Sequence, residues 1–210
     1  MGELVLRTCA SDMTSHEGGF TWPTAGEVSA PDWSPRATCG HGLHGLLRGE
    51  GDHGCLDWDA DAKWLVVEVV AESMVDLGGK VKFPRGVVLY AGDQATAVAM
   101  IVERHSNAGT VIAGTATAGA RGTATAGYAG TATAGEDGTA TAGGRGTATA
   151  GYAGTATAGA RGEIRIRWWD GASERYRTAV GYVGEGGIEA NQRYRLDDER
   201  QFQAAPEVET

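Results

Sequence analysis

One eight-residue phrase is repeated six times without interruption from residue 114 to 161, and it constrains the fold more than any other feature. Each copy begins Gly-Thr-Ala-Thr-Ala-Gly, and only the last two positions vary. A short fixed period is typical of solenoids, in which each unit buries its apolar face against the next. Because the invariant residues include no general base and no metal ligand cluster, we expect the repeats to form a surface rather than a reaction centre.

The alternation of Thr and Ala in every copy predicts a β-strand with threonines on one face and alanines on the other. β-branched Thr favours strands, and the Gly residues that end each run are typical of turns. The residues after the array indicate which face is buried. Ile164 and Ile166 take the places of the alanines, whereas Glu163 and Arg165 take those of the threonines. We therefore predict that Ala points inward and Thr outward.

Eight residues provide one short strand and one turn, so two copies are predicted to make one sixteen-residue coil. Six copies then give three coils, stacked at about 4.7 to 4.9 Å. About three units are the minimum for a stable repeat body, and its ends need caps. The predicted fold class is mainly β, with a short β-solenoid between two flanking regions. The predicted domains are an α+β N-terminal domain (1–107), the solenoid (108–162) and a β-rich C-terminal cap with a hairpin (163–210).

The flanking regions carry local strand and helix signals. The apolar run Lys63–Val70 is typical of a central strand, and Asp93 is a suitable N-cap for a helix that ends near His105. In the C-terminal region, the Asp170-Gly171 turn signal predicts a hairpin, with a third strand after it. The other predicted strands are Leu4–Thr8, Lys80–Phe83, Val87–Ala91, Glu163–Trp169, Arg175–Val183 and Arg193–Leu196.

The phrases Gly-Tyr-Ala-Gly-Thr-Ala-Thr-Ala-Gly at 151–159 and Ala-Gly-Glu-Asp at 134–137 resemble the tandem repeats of bacterial ice-nucleation proteins. The resemblance implies sixteen-residue β-solenoid coils whose Thr-x-Thr rows order water. This chain differs in having three coils instead of dozens and the Thr-Ala-Thr phrase in both halves of each coil. The candidate water-binding or ice-binding pairs are Thr115 with Thr117, Thr123 with Thr125, Thr131 with Thr133, Thr139 with Thr141, Thr147 with Thr149, and Thr155 with Thr157.

Phrases on both sides of the repeats resemble an uncharacterised group of bacterial and phage proteins. They are Cys-Gly-His-Gly-Leu-His-Gly from 39, Gly-Gly-Lys-Val-Lys-Phe-Pro-Arg-Gly from 78, Trp-Asp-Gly from 169 and Ala-Val-Gly-Tyr-Val-Gly from 179. In that group a small N-terminal domain, a polar β-repeat of variable length and a β-rich tail occur in this order. The resemblance implies an architecture and no established activity.

Five residues of metal-ligand type lie between positions 39 and 55: Cys39, His41, His44, His53 and Cys55. A zinc site needs four such ligands, often from two close pairs. The spacing CxHxxH followed by HxC matches no common zinc module, and a core histidine and a buried thiol explain the same residues. We therefore expect no metal and no other cofactor.

An enzymatic alternative comes from a second resemblance. Arg7 on a first strand, the Gly42–His44 element and a later strand pair are similar to the split-sheet layout of ADP-ribosyltransferases. That resemblance implies a nicotinamide-ribose site and a catalytic Glu on a late strand. Glu68 lies on a strand too early in the chain, and the strand at 87–91 has no carboxylate. We therefore expect a non-enzymatic protein, with a degenerate or active transferase-like N-terminal domain as the minor alternative.

The charge pattern bears on the partners of the protein, and the apolar pattern bears on its location. The net charge is -9, and residues 1–107 contain 8 Lys and Arg against 15 Asp and Glu. Such acidity argues against nucleic-acid binding, which relies on neutralising phosphates. Since the sequence shows no long apolar run and no secretion signal at its start, we expect no membrane partner and a cytoplasmic location.

Arginines concentrate after the repeats. In ice-nucleation proteins, Arg-bearing coils near the C-terminal end are linked to assembly, so the resemblance implies self-association through the cap. The alternative is a solvated cap whose arginines pair with Glu163, Glu174 and Asp197. The candidate assembly residues are Arg161, Arg165, Arg167, Arg175 and Arg177.

Two functions follow from this reading. In the first, the solenoid presents a water-ordering or ice-binding surface. In the second, the protein is a structural or partner-binding module whose repeats form a stiff spacer, since Thr is also simply a soluble strand former.

Overall fold

The structure is a computed structural model that describes residues 2–15, 19–105 and 111–206. The chain divides into two compact units, residues 1–111 and 112–210. The repeats and the segment that follows them lie in the same unit. The finer division into three domains stays a prediction.

The N-terminal unit contains an antiparallel seven-stranded sheet, in the order β2-β7-β4-β1-β3-β6-β5, and the helix α1 (Gln94–Arg104). Short 3-10 turns lie at His53–Cys55 and Ala71–Ser73. The strands are β1 (Gly2–Cys9), β2 (Gly26–Ser29), β3 (Leu43–Leu47), β4 (Lys63–Val70), β5 (Val75–Asp76), β6 (Val81–Phe83) and β7 (Arg85–Gly92).

Strand β4 lies in the interior of this sheet, between β7 and β1, and most of its residues are apolar on both faces. Leu65, Val66 and Val67 are each 0% exposed, which confirms the central strand predicted from the sequence. Helix α1 begins at the predicted N-cap, where the Asp93 carboxylate accepts hydrogen bonds from Thr96 N and Thr96 Oγ1, both at 2.9 Å. These bonds satisfy a backbone donor that a helix N-terminus leaves unpaired.

The second unit begins with the solenoid, which makes about three turns over residues 115–166. Strands β8, β10 and β12 form one parallel sheet, and β9, β11 and β13 form the other. In both sheets Thr pairs with Thr and Ala with Ala from coil to coil. The strands are β8 (Thr115–Ala118), β9 (Thr123–Ala126), β10 (Thr131–Ala134), β11 (Thr139–Ala142), β12 (Thr147–Ala150) and β13 (Thr155–Ala158).

The alanines form the interior of the solenoid. Ala132, Ala140 and Ala148 are each 0% exposed, whereas the threonines on the same strands keep solvent exposure. The prediction that Ala points inward and Thr outward is therefore confirmed. Each inward side chain of the repeats is a single methyl group, so the two sheets enclose a narrow core.

Each pair of strands is joined by a Gly-x-x-Gly turn whose third residue has a positive φ. In one of them, Gly154 N donates to Gly151 O at 3.2 Å, and Ala153 has φ 56°. These are features of a type II turn, in which Gly or Asn is the usual third residue. In this solenoid the third residues are Arg121, Ala129, Asp137, Arg145, Ala153 and Arg161.

We expect Ala153→Gly to raise the free energy of unfolding by about 0.5 to 1 kcal/mol, because Gly adopts the left-handed conformation without the Cβ clash. Urea unfolding followed by circular dichroism measures the change. Ala160→Gly is the matched control, since Ala160 occupies the second place of the next turn and has no positive φ. The control is expected to lose stability, and equal losses in the two variants would contradict the explanation.

The first and fourth residues of each turn are glycine for a different reason, because the backbones of stacked coils approach each other closely there. A Cβ on Gly135 would lie 2.7 Å from Ala120 N, and one on Gly151 would lie 2.5 Å from Gly135 C. Neither glycine has a positive φ. Gly119 belongs to the first coil, and a Cβ there would meet nothing within 4 Å.

The C-terminal segment caps the last coil on both sheets. Strand β14 (Glu163–Asp170) continues the first sheet, with Ile164 over Ala148, and β15 (Arg175–Tyr182) folds back beside it as the predicted hairpin. Strand β16 (Arg193–Leu196) pairs antiparallel with β13, and β17 (Phe202–Ala204) follows it. The third predicted strand therefore exists, and it completes the second sheet rather than the hairpin.

Candidate functional site

Two flat arrays of threonines cover opposite sides of the solenoid, and each contains two columns of three residues. We call the outward side of the β8-β10-β12 sheet face A and that of the β9-β11-β13 sheet face B. Face A consists of Thr115, Thr117, Thr131, Thr133, Thr147 and Thr149. Face B consists of Thr123, Thr125, Thr139, Thr141, Thr155 and Thr157.

The spacing within each face follows from strand geometry. Parallel in-register pairing places Thr131 directly between Thr115 and Thr147. Neighbouring strands lie about 4.8 Å apart, and residues two apart on one strand lie about 6.6 Å apart. Because the branched Thr side chain is stiff at χ1, hydroxyl and methyl groups recur at these intervals.

The two faces differ in exposure and in hydroxyl bonding. On face A, Thr115, Thr117 and Thr131 are exposed, whereas on face B only Thr123 is exposed and the other five threonines are half-buried. On face B the hydroxyl oxygens of Thr139 and Thr155 lie 3.2 Å apart and share a hydrogen bond. That bond fixes the two side chains relative to each other.

Charged residues replace the threonines of both faces where the cap begins. On face A, Glu163 and Arg165 continue the two Thr columns, and the two side chains form an ion pair. On face B, Arg193 lies beside Thr157. The uniform hydroxyl lattice therefore ends at the last coil, with six threonines on each face.

Several of the candidate assembly arginines already have partners inside the cap. Arg165 pairs with Glu163, as the sequence suggested, and Arg177 donates hydrogen bonds to Asp170 and Ser173. The Arg167 guanidinium lies over the Tyr176 ring, 4.6 Å from its centroid. The remaining two, Arg161 and Arg175, are exposed.

An exposed aromatic cluster adjoins these arginines, and the sequence analysis did not single it out. The Tyr176 ring packs edge to face against Trp169 at 5.1 Å and against Tyr152 at 6.3 Å between ring centroids. Each of the three side chains is more than 40% exposed. The alternation along β14 and β15 places Trp169 and Tyr176 opposite each other, which was visible only once the pairing was known.

The residues of metal-ligand type come together only in part. Cys39, His41, His44 and Cys55 line one cavity of the N-terminal unit, and His53 is not among its lining residues. Within residues 2–15, 19–105 and 111–206, no three His, Cys, Asp or Glu side chains lie close enough to hold a metal ion.

The residues of the transferase-like alternative also do not all lie in one place. Arg7 and His44 line the same cavity, where Arg7 Nη1 donates to His44 O at 3.0 Å. Glu68 instead forms an ion pair with Arg104 and is not part of the cavity lining. In the part of the chain that the structure describes, no helix combines the length and apolarity needed to cross a membrane.

Comparison with known proteins finds one family model and several curated relatives. A family model for a domain of unknown function, DUF7666, matches residues 4–100. An ice nucleation protein of Xanthomonas campestris pv. translucens is 43% identical over 97 residues, 45% of this chain and 6% of its own length. The ice nucleation protein InaU of Pantoea ananas is 39% identical over 106 residues, 50% of this chain and 10% of its own length. No solved structure matches.

The relatives and the three-turn solenoid together make this an ice-nucleation-like repeat protein. Such relatives are structural rather than enzymatic proteins. The chain spans a tenth or less of the length of these curated relatives. The expectation of a cytoplasmic location is wrong, because ice nucleation proteins are anchored at the bacterial outer membrane. That expectation rested only on the absence of a long apolar run and of a secretion signal in the sequence.

Proposed function

We propose that face A and face B order water and bind ice, and that the protein acts without catalysis. The observation that carries the proposal is the in-register stacking of Thr on Thr across all three coils on both sheets. It supports a rigid lattice, since each hydroxyl is held by a stiff side chain on a hydrogen-bonded strand. The relatives named as ice nucleation proteins support the same function.

The physical argument concerns repetition rather than the strength of any one contact. A single hydroxyl holds a water molecule only weakly, because bulk water offers comparable hydrogen bonds. A lattice of hydroxyls at fixed intervals holds several waters at once in fixed relative positions, and methyl groups between them limit other arrangements. Three strands separated by about 4.8 Å span about 10 Å along each column. We therefore expect the activity of a single molecule to be weak.

Self-association would enlarge the lattice, and the cap supplies a suitable surface for a second copy. Strand β15 lies at the edge of its sheet, and edge strands can pair with another chain. The exposed arginines Arg161 and Arg175 adjoin it, and residues 1–107 of another copy carry opposite charge. The partners in this proposal are thus ordered water or ice and a second copy of the chain.

The stiff-spacer alternative has less support. A spacer between two domains would leave the cap as a separate compact unit. The cap instead continues both sheets of the solenoid and belongs to the same unit.

We expect the double variant Thr131→Lys and Thr147→Lys to lose the share of the freezing activity and thermal hysteresis that face A supplies. Two long charged side chains on neighbouring rungs interrupt one column of face A and bind water in their own geometry. The pair Thr139→Lys and Thr155→Lys interrupts face B in the same way, and a variant with all four lysines is expected to freeze droplets at the temperature of buffer alone. Droplet-freezing and thermal-hysteresis measurements on the purified protein test this, with the oligomeric size determined in the same samples.

The matched control is Ala120→Lys with Ala160→Lys, which adds the same charge on exposed turn residues. We expect it to retain the activity of the parent protein, and circular dichroism checks that all variants fold. Parent protein that freezes no differently from buffer would overturn the proposal. Undiminished activity in both threonine variants would overturn the assignment to the two faces.

A further inference from the structure

The N-terminal unit contains a cavity of about 610 Å³ that the proposed function does not use. Its volume lies within the range of about 300 to 1,000 Å³ that is typical of sites for small molecules. Its wall includes apolar side chains such as Phe20 and Trp22 together with charged and neutral polar groups. The polar and charged lining residues include Arg7, Ser15, Asp32, His41, His44 and Lys80, and the Asp32 carboxylate lies 3.4 Å from His41 Nδ1.

Arg7 contributes a cation to this cavity. Its guanidinium lies over the Trp22 ring, 4.3 Å from the centroid. It donates to Thr8 O at 3.2 Å, His44 O at 3.0 Å and Ser15 Oγ at 3.4 Å, all of which are uncharged acceptors. Among the residues that the structure describes, no Asp or Glu forms an ion pair with Arg7.

The charge on this arginine persists despite its surroundings. Burial lowers the pKa of Arg7 to about 10, which leaves the guanidinium protonated at neutral pH. A buried charge without an ionic partner is costly. A guanidinium has five N–H donors, and the described residues supply three acceptors, so two donors have no acceptor among these residues and are available to an anion.

His44 adds an acceptor beside this cation. The ring forms a hydrogen bond with the backbone of Gly42, and Nε2 is buried with no hydrogen-bond partner among the described residues. Burial lowers the pKa of His44, and the positive charges of Lys80 and Arg7 lower it further. The neutral ring therefore offers Nε2 as an acceptor for an N–H or O–H group.

A buried lysine, the cross-strand partner of His44, holds another part of the cavity wall in place. Lys82 is 0% exposed, and its Nζ donates to Thr38 O at 2.9 Å and to Gly40 O at 3.4 Å. The same ammonium lies 5.7 Å from the centroid of the Trp33 ring. These contacts fix the loop that carries Gly40 and His41 into the lining, so this wall is formed before any ligand binds.

We propose that this cavity binds a small organic anion whose phosphate or carboxylate oxygens accept hydrogen bonds from Arg7 and whose hydroxyl or amine donates to His44 Nε2. The positive charge of Lys80 on the same wall favours the anion. An arginine on a strand presents fixed donors to such a planar or tetrahedral group. This site is independent of the threonine faces and of the ice-binding proposal.

Three probes test the site on the full chain at pH 7.5 and constant ionic strength: inorganic phosphate, glycerol 3-phosphate and succinate. We expect saturable shifts of the Arg7 Nε–Hε resonance in nuclear magnetic resonance spectra and a rise in the unfolding temperature with ligand concentration. Phosphate compounds that bind while succinate does not would identify a phosphate site, and the reverse would identify a carboxylate site. Glycerol 3-phosphate is expected to bind up to about tenfold more tightly than phosphate, because its hydroxyl reaches His44.

Three variants separate the site from general charge effects. Arg7→Met is expected to lose the ligand-dependent rise in unfolding temperature, whereas Arg85→Met, which removes an exposed arginine of the same unit outside the cavity, is expected to retain it. His44→Phe is expected to lose only the advantage of glycerol 3-phosphate over phosphate. If Arg7→Met does not fold, Arg7→Lys is used, with at least a severalfold weaker binding expected. Absence of saturable binding for all three probes, or equal binding by the Arg7 and Arg85 variants, overturns the proposal.

Discussion

Gly151→Ala is expected to lower the free energy of unfolding of the solenoid by about 3 kcal/mol or more, at the upper end of overpacking effects. The new Cβ would lie 2.5 Å from Gly135 C and 2.6 Å from Glu136 N, and both are backbone atoms that no rotamer change can move. The coils must separate locally to admit the methyl group. The hydrogen bonds from Gly151 N to Ala134 O at 3.0 Å and from Asp137 N to Tyr152 O at 2.9 Å lie at this contact and would lengthen.

The measurement is urea or thermal unfolding followed by far-ultraviolet circular dichroism, and Gly119→Ala is the matched control. Gly119 occupies the same place in the first coil, where an added Cβ meets no atom within 4 Å. We expect this control to remain within about 0.5 kcal/mol of the parent protein, as for most exposed substitutions. If both alanines destabilise equally, the turn conformation and not the stacking of coils requires glycine.

Ile164→Ala is expected to destabilise the second unit by about 2 to 5 kcal/mol, the usual cost of removing a buried Ile side chain. Ile164 is 0% exposed and stands over Ala148 at the end of the alanine core, where no further coil follows. Its neighbours in the same core include Ile188 and Tyr194 of the cap. The narrow interior leaves little freedom to fill the resulting cavity, so we expect the cost to lie in the upper half of this range.

Equilibrium unfolding again measures the effect, with two comparisons on the same strand. Ile164→Val is expected to cost about 0.5 to 1.5 kcal/mol, in proportion to the smaller volume removed. Arg165→Ala removes an exposed side chain whose ion pair with Glu163 contributes at most about 1 kcal/mol. A loss for Arg165→Ala as large as that for Ile164→Ala would show that the cap is held by its surface charges.

The solenoid could be predicted from the sequence because its information is local. The alternation of Thr and Ala specifies two faces, and the replacement of Ala by Ile164 and Ile166 after the array identifies the buried one. The pairing of each strand with the strand two places later follows once an octad is recognised as half a coil. The residue pattern did not show that the third residue of each turn, an Ala, Arg or Asp, adopts the unfavourable left-handed conformation.

The N-terminal sheet was predicted only in part, since β2, β3 and the two-residue strand β5 were not predicted. Strand β3 has only five residues, with Gly45 in its middle, which is unfavourable for a strand. A Cβ on Gly45 would lie 2.4 Å from Val5 Cγ1 and 2.8 Å from Leu6 O, so the glycine allows β3 to approach β1. That requirement arises from long-range pairing, which also brings Arg7 beside His44 and forms the cavity.

The threonine faces and the cavity thus differ in how much the sequence reveals. The threonines of each face follow from a repeated local phrase, whereas the lining of the cavity comes from segments near residues 7, 20, 40, 55 and 80. Arg7 was noted in the sequence as part of a transferase-like layout, but the absence of an acidic partner for it among the described residues emerged only from the packed structure.

The equality of the two halves of each coil has a consequence for the gene that encodes it. Strand pairing, turn geometry and inward alanines are the same whether a given octad lies in one sheet or the other. A gene that has lost or duplicated one stretch of eight codons therefore still encodes a closed solenoid. The cap still pairs with the last two strands, but it is rotated by half a turn about the solenoid axis. Slippage during DNA replication can accordingly adjust the size of the hydroxyl lattice in steps of one strand, without passing through a misfolded intermediate length.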